Sequence, residues 1–96
     1  MRLERDIEAK VGGALLRWAA ENSARMLYLK LNVSNVAGIP DRLVLSDDRV
    51  VFVEFKRPGM KPTKIQEYMH ERIRRMGFTV LVKTDTDIED ILGALK

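Results

Sequence analysis

One run of the sequence has residue types and spacing that suit chemistry: Gly38-Ile39-Pro40-Asp41, then Glu54 thirteen positions after the aspartate, then Lys56. Side chains on a strand alternate faces, so Glu54 and Lys56 project to one side while Phe55 points to the other. Asp41 opens the strand before the one that carries Glu54, and a hairpin returns the two ends side by side. Two carboxylates and an ammonium then converge at one edge of a sheet. Crowded like charges need a cation, and carboxylate oxygens are the ligands that Mg2+ and Mn2+ prefer. With a lysine ammonium close by to orient or help deprotonate a water, these parts suffice to hydrolyse a phosphodiester. The competing explanation is a same-face salt bridge, common on exposed sheets. Against it, the charges interrupt the very apolar strand VVFVEFK and sit at its end, where a crossover begins.

The elements that must hold these residues follow from periodicity. Residues 3–22 predict an amphipathic helix with Leu3, Ile7, Val11, Ala14, Leu15 and Trp18 as its apolar stripe. Gly12-Gly13 weakens it by about 1 kcal/mol per glycine relative to alanine, either as a tolerated weakness or to allow close approach by another backbone such as a partner helix. Residues 26–32 read as a short strand and NVSNVAGIP as a loop. DRLVLSDDRVVFVEFK reads as two strands joined at Ser46-Asp47-Asp48, and Pro58-Gly59 stops the second. Thr63 caps a helix running to about Met76, with Ile65, Tyr68, Met69, Ile73 and Met76 expected on its buried face and Gly77 at its stop. FTVLV (78–82) is a strong strand. Thr86-x-x-Glu89 forms a capping box before a last helix that carries Ile88, Ile91, Leu92 and Leu95. The order α-β-β-β-α-β-α, with a helical crossover before the last strand, predicts a mixed α/β sheet flanked by helices in one domain spanning residues 1–96.

Composition narrows the chemistry. There are 96 residues, 17 Lys+Arg against 14 Asp+Glu for a net charge of +3, no cysteine and one histidine. That excludes a disulfide scaffold, a zinc ribbon, an iron–sulfur cluster, a thiol nucleophile and a His-rich metal site. No apolar run reaches the roughly 20 residues of a membrane span, and MRLERDIEAK is too charged for a signal peptide, so a cytoplasmic protein is expected. The net charge says little, but its placement is uneven: Arg57, Lys61, Lys64, Arg72, Arg74 and Arg75 crowd one stretch.

The pattern GIPDRLVL…RVVFVEFKRPG…Q resembles the VRR-NUC (virus-type replication-repair nuclease) domain, a branch of the PD-(D/E)xK nuclease superfamily. The likeness covers nearly the whole chain: a first helix with glutamate, the GxPD-R element, FVExKxPG, a helix opening with glutamine and a G-F-x-V strand. It implies a restriction-endonuclease-like fold and Mg2+- or Mn2+-dependent cleavage of DNA in a bacterial or phage-infected cell. It also implies a homodimer acting on branched DNA such as four-way (Holliday) junctions in phage-type replication, recombination and repair. Carried over residue by residue, Asp41 and Glu54 are the metal ligands, with the Phe55 carbonyl as a backbone ligand, and Lys56 is the catalytic lysine. The family also uses a glutamate on the first helix. Glu4 and Glu8 both qualify, and Glu8 is preferred because E-x-x-I-E matches Glu4-Arg5-Asp6-Ile7-Glu8.

Gln66 matches the family glutamine, although Thr63-x-x-Gln66 is also a capping box in its own right. A tyrosine of the family's Q-x-x-Y form is displaced here, since position 69 is Met and Tyr68 is offset. Gln66, His70 and Arg74 follow at i, i+4 and i+8 and form a polar line suited to a phosphate backbone, while His70 on its own reads as a surface residue. Arg57, Lys61 and Lys64 lie just beyond Lys56 and are candidates for phosphate contact. Lys30 and Asn32, ending the first strand, are further candidates. Trp18, Tyr28, Phe52, Phe55 and Phe78 read as core. A nickase or flap nuclease of the same fold, or a silent DNA-binding module, are the alternatives to a junction nuclease.

Overall fold

The computed structural model describes residues 3–96. Its elements are α1 (Glu4–Glu21), β1 (Leu27–Lys30), β2 (Arg42–Ser46), β3 (Arg49–Phe55), α2 (Lys64–Arg75), β4 (Thr79–Lys83) and α3 (Glu89–Ala94). The four strands form one sheet in the order β1-β2-β3-β4. β1 pairs antiparallel with β2 and β2 antiparallel with β3, while β4 lies parallel to β3 after the α2 crossover. The mixed α/β architecture is the one the sequence predicts.

Alternation along β3 builds two cores. Val51, Val53 and Phe55 join Val44 of β2 and pack under Ile7, Val11 and Leu15 of α1 and Ile91 and Leu92 of α3. On the other face Phe52 and Val80 meet Met69 and Ile73 of α2, with Ile39 beside them. Glu54 belongs by parity to this second face, so α2 and not α1 supplies its immediate cover.

Several sequence expectations are corrected here. α2 is rotated about its axis relative to its expected buried face. Met69 and Ile73 are buried as predicted, but Ile65, Tyr68 and Met76 are 52%, 60% and 65% exposed, and His70 is buried in their place. A stripe of five apolar residues on so short a helix leaves its phase ambiguous, and the observed phase sets Gln66 and His70 against the buried Glu54. Phe78 is 44% exposed and meets Phe52 edge-on, with ring centroids 6.1 Å apart. The Thr86 capping box does not form; Asp87 accepts the Glu89 N–H instead, at 3.3 Å, and α3 is a single short helix. The close approach at Gly12 is made by a side chain of the same chain: a Cβ there would fall 2.5 Å from Cε2 of Tyr28, whereas Gly13 meets nothing.

Lys83, at the end of β4, is buried and escaped notice in the sequence. Burial alone would lower its pKa, but its ammonium donates to Asp85 at 2.8 Å and to Asp90 at 3.0 Å, and these bonds raise it. Its backbone carbonyl accepts the Lys56 N–H at 2.9 Å, which ties the chain just after β3 to the end of β4.

Candidate active site

Asp41 is held from both sides before β2 begins. Its backbone carbonyl accepts the Leu31 N–H at 2.9 Å, and its carboxylate oxygen Oδ2 accepts the Phe55 N–H at 2.8 Å. The β2–β3 register runs Arg42 opposite Val53, so one step further sets Asp41 opposite Glu54. The loop before it is fixed by Pro40, which is fully buried, and by Gly38, which has φ +84. A Cβ on Gly38 would lie 2.5 Å from the Ile65 carbonyl oxygen at the start of α2. Gly38 therefore lets the Asp41 loop lie directly on the helix that covers Glu54. The Gly38→Ala variant combines a left-handed backbone with a clash against main chain, so it is expected to lose about 2 kcal/mol or more of stability, and thermal melting checks it.

Glu54 is 2% exposed, and its carboxyl is pushed up to about 8 from an ordinary 4.5. Burial is the main cause, followed by the charge and hydrogen bonding of Asp41; the Lys56 ammonium pulls the other way, and Glu4 adds a further upward push. Gln66 Nε2 lies 3.4 Å from Glu54 Oε2, and His70 Nε2 lies 3.5 Å from Oε1. Glu54 Oε1 and His70 Nε2 have no hydrogen-bond partner among the described residues, and the 3.5 Å between them does not make one. His70 is 1% exposed, and its pKa is lowered, mainly by burial and then by the Arg74 guanidinium. Both capping-box bonds of α2 also form: Gln66 Oε1 accepts from Thr63 N at 2.9 Å, and Gln66 N donates to Thr63 Oγ1 at 3.3 Å. The two explanations of Gln66 thus hold together, one amide serving both as a cap and as a neighbour of Glu54.

The structure brings Asp41, Glu54, Phe55, Lys56, Gln66 and His70 to one end of the sheet; several of the other candidates have partners within the chain. Glu8 accepts a short hydrogen bond from Arg42 Nε and has Lys30 Nζ at 3.7 Å, so Lys30 faces a carboxylate of its own chain. Arg42 also stacks over the Tyr28 ring at 4.4 Å, and the Tyr28 hydroxyl donates to the Glu8 carbonyl at 2.8 Å. Glu4, one turn earlier, is the α1 carboxylate whose charge reaches Glu54. Arg74, expected on a phosphate-facing line, donates to the Val80 carbonyl at 2.9 Å, and His70 of the same line points into the protein. Arg57, Lys61 and Lys64 are exposed, as phosphate contact requires. Arg57 lines a shallow groove of about 360 Å3 with Leu3, Glu4 and Arg5. Arg5 is an addition that only its position next to Glu4 signals in the sequence. A larger depression of about 550 Å3 lies by the β2–β3 turn, at the opposite end of the sheet from Glu54.

Among the described residues no group of three or more His, Cys, Asp or Glu side chains is gathered to hold a metal ion. The pair that is present nonetheless fits a hard divalent cation: two crowded carboxylates, one of them buried with an oxygen lacking any partner but a distant imidazole. An isolated buried charge of this kind is held neutral by protonation or is compensated by a cation.

A sheet with α1 and α3 on one face, α2 on the other, and an Asp–Glu–Lys set at the ends of β2 and β3 defines a nuclease-type α/β domain. A solved structure described as a VRR_NUC domain superposes with a TM-score of 0.73 and 30% sequence identity, covering 93% of this chain and 91% of that one. The chain belongs to the VRR-NUC domain family. It is also 44% identical over 59 residues to "Putative nuclease p44" of Acyrthosiphon pisum secondary endosymbiont phage 1, a match that takes in 60% of this chain and 63% of the phage protein. No family model matches the chain. No helix among the described residues is long and apolar enough to cross a membrane.

Proposed function

We propose that the protein is a divalent-metal-dependent, structure-specific DNA endonuclease, a homodimer that resolves four-way junctions. The observation that supports this reading best is the opposition of Asp41 and Glu54 beside Lys56, with Glu54 buried and its pKa raised to about 8. Such a pair is poorly stable as a structural ion cluster and well suited to Mg2+ or Mn2+. Asp41, Glu54 and the Phe55 carbonyl would hold the cation, with Glu4 or Glu8 as the α1 carboxylate. When bound, the cation supplies charge neutralisation at the phosphoryl oxygens and a nucleophilic water. Lys56 stabilises negative charge that develops at the scissile phosphate and orients the attacking water. Arg57, Lys61 and Lys64, with Arg5 across the groove, neutralise the neighbouring backbone phosphates and set the register of the strand. Dimerisation follows from the substrate: a four-way junction needs two symmetric cuts, and one small chain presents one site.

The test is a labelled panel of four-way junction, flap, nicked duplex and linear duplex, each with Mg2+, Mn2+ or EDTA, together with sizing of the protein in solution. Cleavage of the junction only with a divalent ion, by a dimer, is expected. Its loss in Lys56→Ala with binding preserved is also expected. Cleavage that persists in Asp41→Ala sinks the metal assignment, and preferential cutting of flaps or nicks by a monomer overturns the junction reading.

A further inference from the structure

The buried end of α2 contains a polar arrangement that the proposed chemistry leaves unexplained. His70 Nε2 and Glu54 Oε1 are sealed from solvent 3.5 Å apart, neither with a hydrogen-bond partner among the described residues, and Gln66 Nε2 stands 3.4 Å from the second oxygen of the same carboxylate. As structural contacts these are poor, since the Gln66 bond lies at the outer limit of hydrogen bonding and the His70 approach falls short of one. A leucine at position 70 beside Met69 and Ile73 would add apolar packing and remove a buried unsatisfied nitrogen. The arrangement makes sense if its purpose is orientation of the carboxylate.

We infer that His70 is a positioning residue, its neutral imidazole donating Nε2–H to Glu54 Oε1 while the Gln66 amide donates to Oε2, so that the two fix the carboxylate in the orientation in which, with Asp41, it would hold a divalent cation. This inference rests on the metal-dependent reading proposed above. Three features of the fold make the clamp rigid. Gln66 and His70 are one helical turn apart on one face of α2, the Gln66 side-chain oxygen Oε1 accepts from the Thr63 N–H, and Gly38 allows the Asp41 loop to lie against the same turn of helix. Hydrogen bonds to a ligating carboxylate fix its orientation, and their loss typically weakens metal affinity about 10- to 100-fold. With a cation bound the carboxylate is ionised and the tautomer is dictated by the acceptor, because an ionised carboxylate offers no proton and only an Nε2–H can bond to it.

The experiment measures Mn2+ binding to the intact protein without DNA, by titration calorimetry, and melting in EDTA, for wild type, His70→Leu, His70→Asn and His70→Gln. Glutamine reaches Glu54 with an N–H donor, asparagine stops short of it, and leucine has none. His70→Leu and His70→Asn are expected to bind Mn2+ at least about tenfold more weakly, with His70→Gln close to wild type. The melting temperature of His70→Leu in EDTA should be equal to or above that of wild type. Wild-type affinity in His70→Leu overturns the inference alone. So does equal weakening in all three variants accompanied by lower melting temperatures, which marks a purely structural histidine. If His70→Leu does not fold, the contrast between His70→Asn and His70→Gln decides by the same criterion. If wild type itself binds no Mn2+ at millimolar concentration, the metal reading falls and the inference with it.

Discussion

Replacing Glu54 with glutamine is expected to abolish cleavage and yet make the metal-free protein more stable at neutral and alkaline pH. The two effects have one source. The native carboxyl titrates near 8 against an ordinary 4.5, because it is buried and faces Asp41. Below pH 4.5 native and unfolded chains both hold the proton. Between 4.5 and 8 only the native chain holds it, so stability falls steadily as pH rises through this window, and above about 8 the full penalty of the buried charge is in place. The amide carries no charge at any pH and keeps a donor where the protonated carboxyl has one, so it escapes the decline. In EDTA the Glu54→Gln melting temperature should overtake wild type as pH rises and exceed it at pH 8.5 by roughly 10 °C, equivalent to about 2 kcal/mol for a chain of this size. Cleavage should drop by at least roughly 10^2- to 10^3-fold, since a neutral amide is a poor ligand for a hard cation and leaves phosphate charge uncompensated. Melting curves that run parallel from pH 5 to 9 would show that Glu54 carries no unusual burden, and the metal argument would lose its main physical support.

The same titration separates what was legible in the sequence from what was not. The strand order, the hairpin at Asp47 and the crossover through α2 are local in origin. Alternating runs, a turn residue in the left-handed conformation at φ 53, and the Thr63 cap each act within a few residues. Asp41, Glu54 and Lys56 were legible for the same reason, since strand parity and hairpin register follow from spacing alone. The rotation of α2 was not legible. Ile65, Tyr68 and Met76 are as apolar as the residues that are buried, and the choice between the two faces depends on a carboxylate ten or more positions away on another element. His70 was visible at i+4 from Gln66, but its inward direction is a tertiary fact. The roles of Glu4 and Glu8 were hidden likewise. Both sit on one helix face, and only the placement of Arg42, set by β2, shows which of them is already occupied by an ion pair.

That occupation leads to a prediction with an effect of comparable size: Glu4→Gln should impair cleavage, whereas Glu8→Gln should impair stability. Glu8 is 13% exposed at its side chain, accepts from Arg42 and has Lys30 at 3.7 Å. Arg42 in turn lies over the Tyr28 ring, and that ring occupies the space left by Gly12. The glutamate therefore joins α1 to β1 and β2, and neutralising it leaves a part-buried guanidinium without its carboxylate. A loss of about 1–3 kcal/mol is expected, with a melting temperature lower by roughly 5–15 °C. Glu4 makes no ion pair among the described residues; it lies half-buried beside Arg5 and Arg57 at the groove, and its charge is felt by Glu54. Its removal costs at most the few tenths of a kcal/mol of a favourable helix N-terminal charge, so melting should hardly change. If Glu4 completes the ligand set with Asp41 and Glu54, its amide should lower cleavage by roughly 10^2-fold and weaken Mn2+ binding in parallel. The reverse pattern, with Glu8→Gln inactive at full stability and Glu4→Gln active, would assign the α1 carboxylate to Glu8, as the E-x-x-I-E spacing suggests, and would require Arg42 to release it when the cation binds.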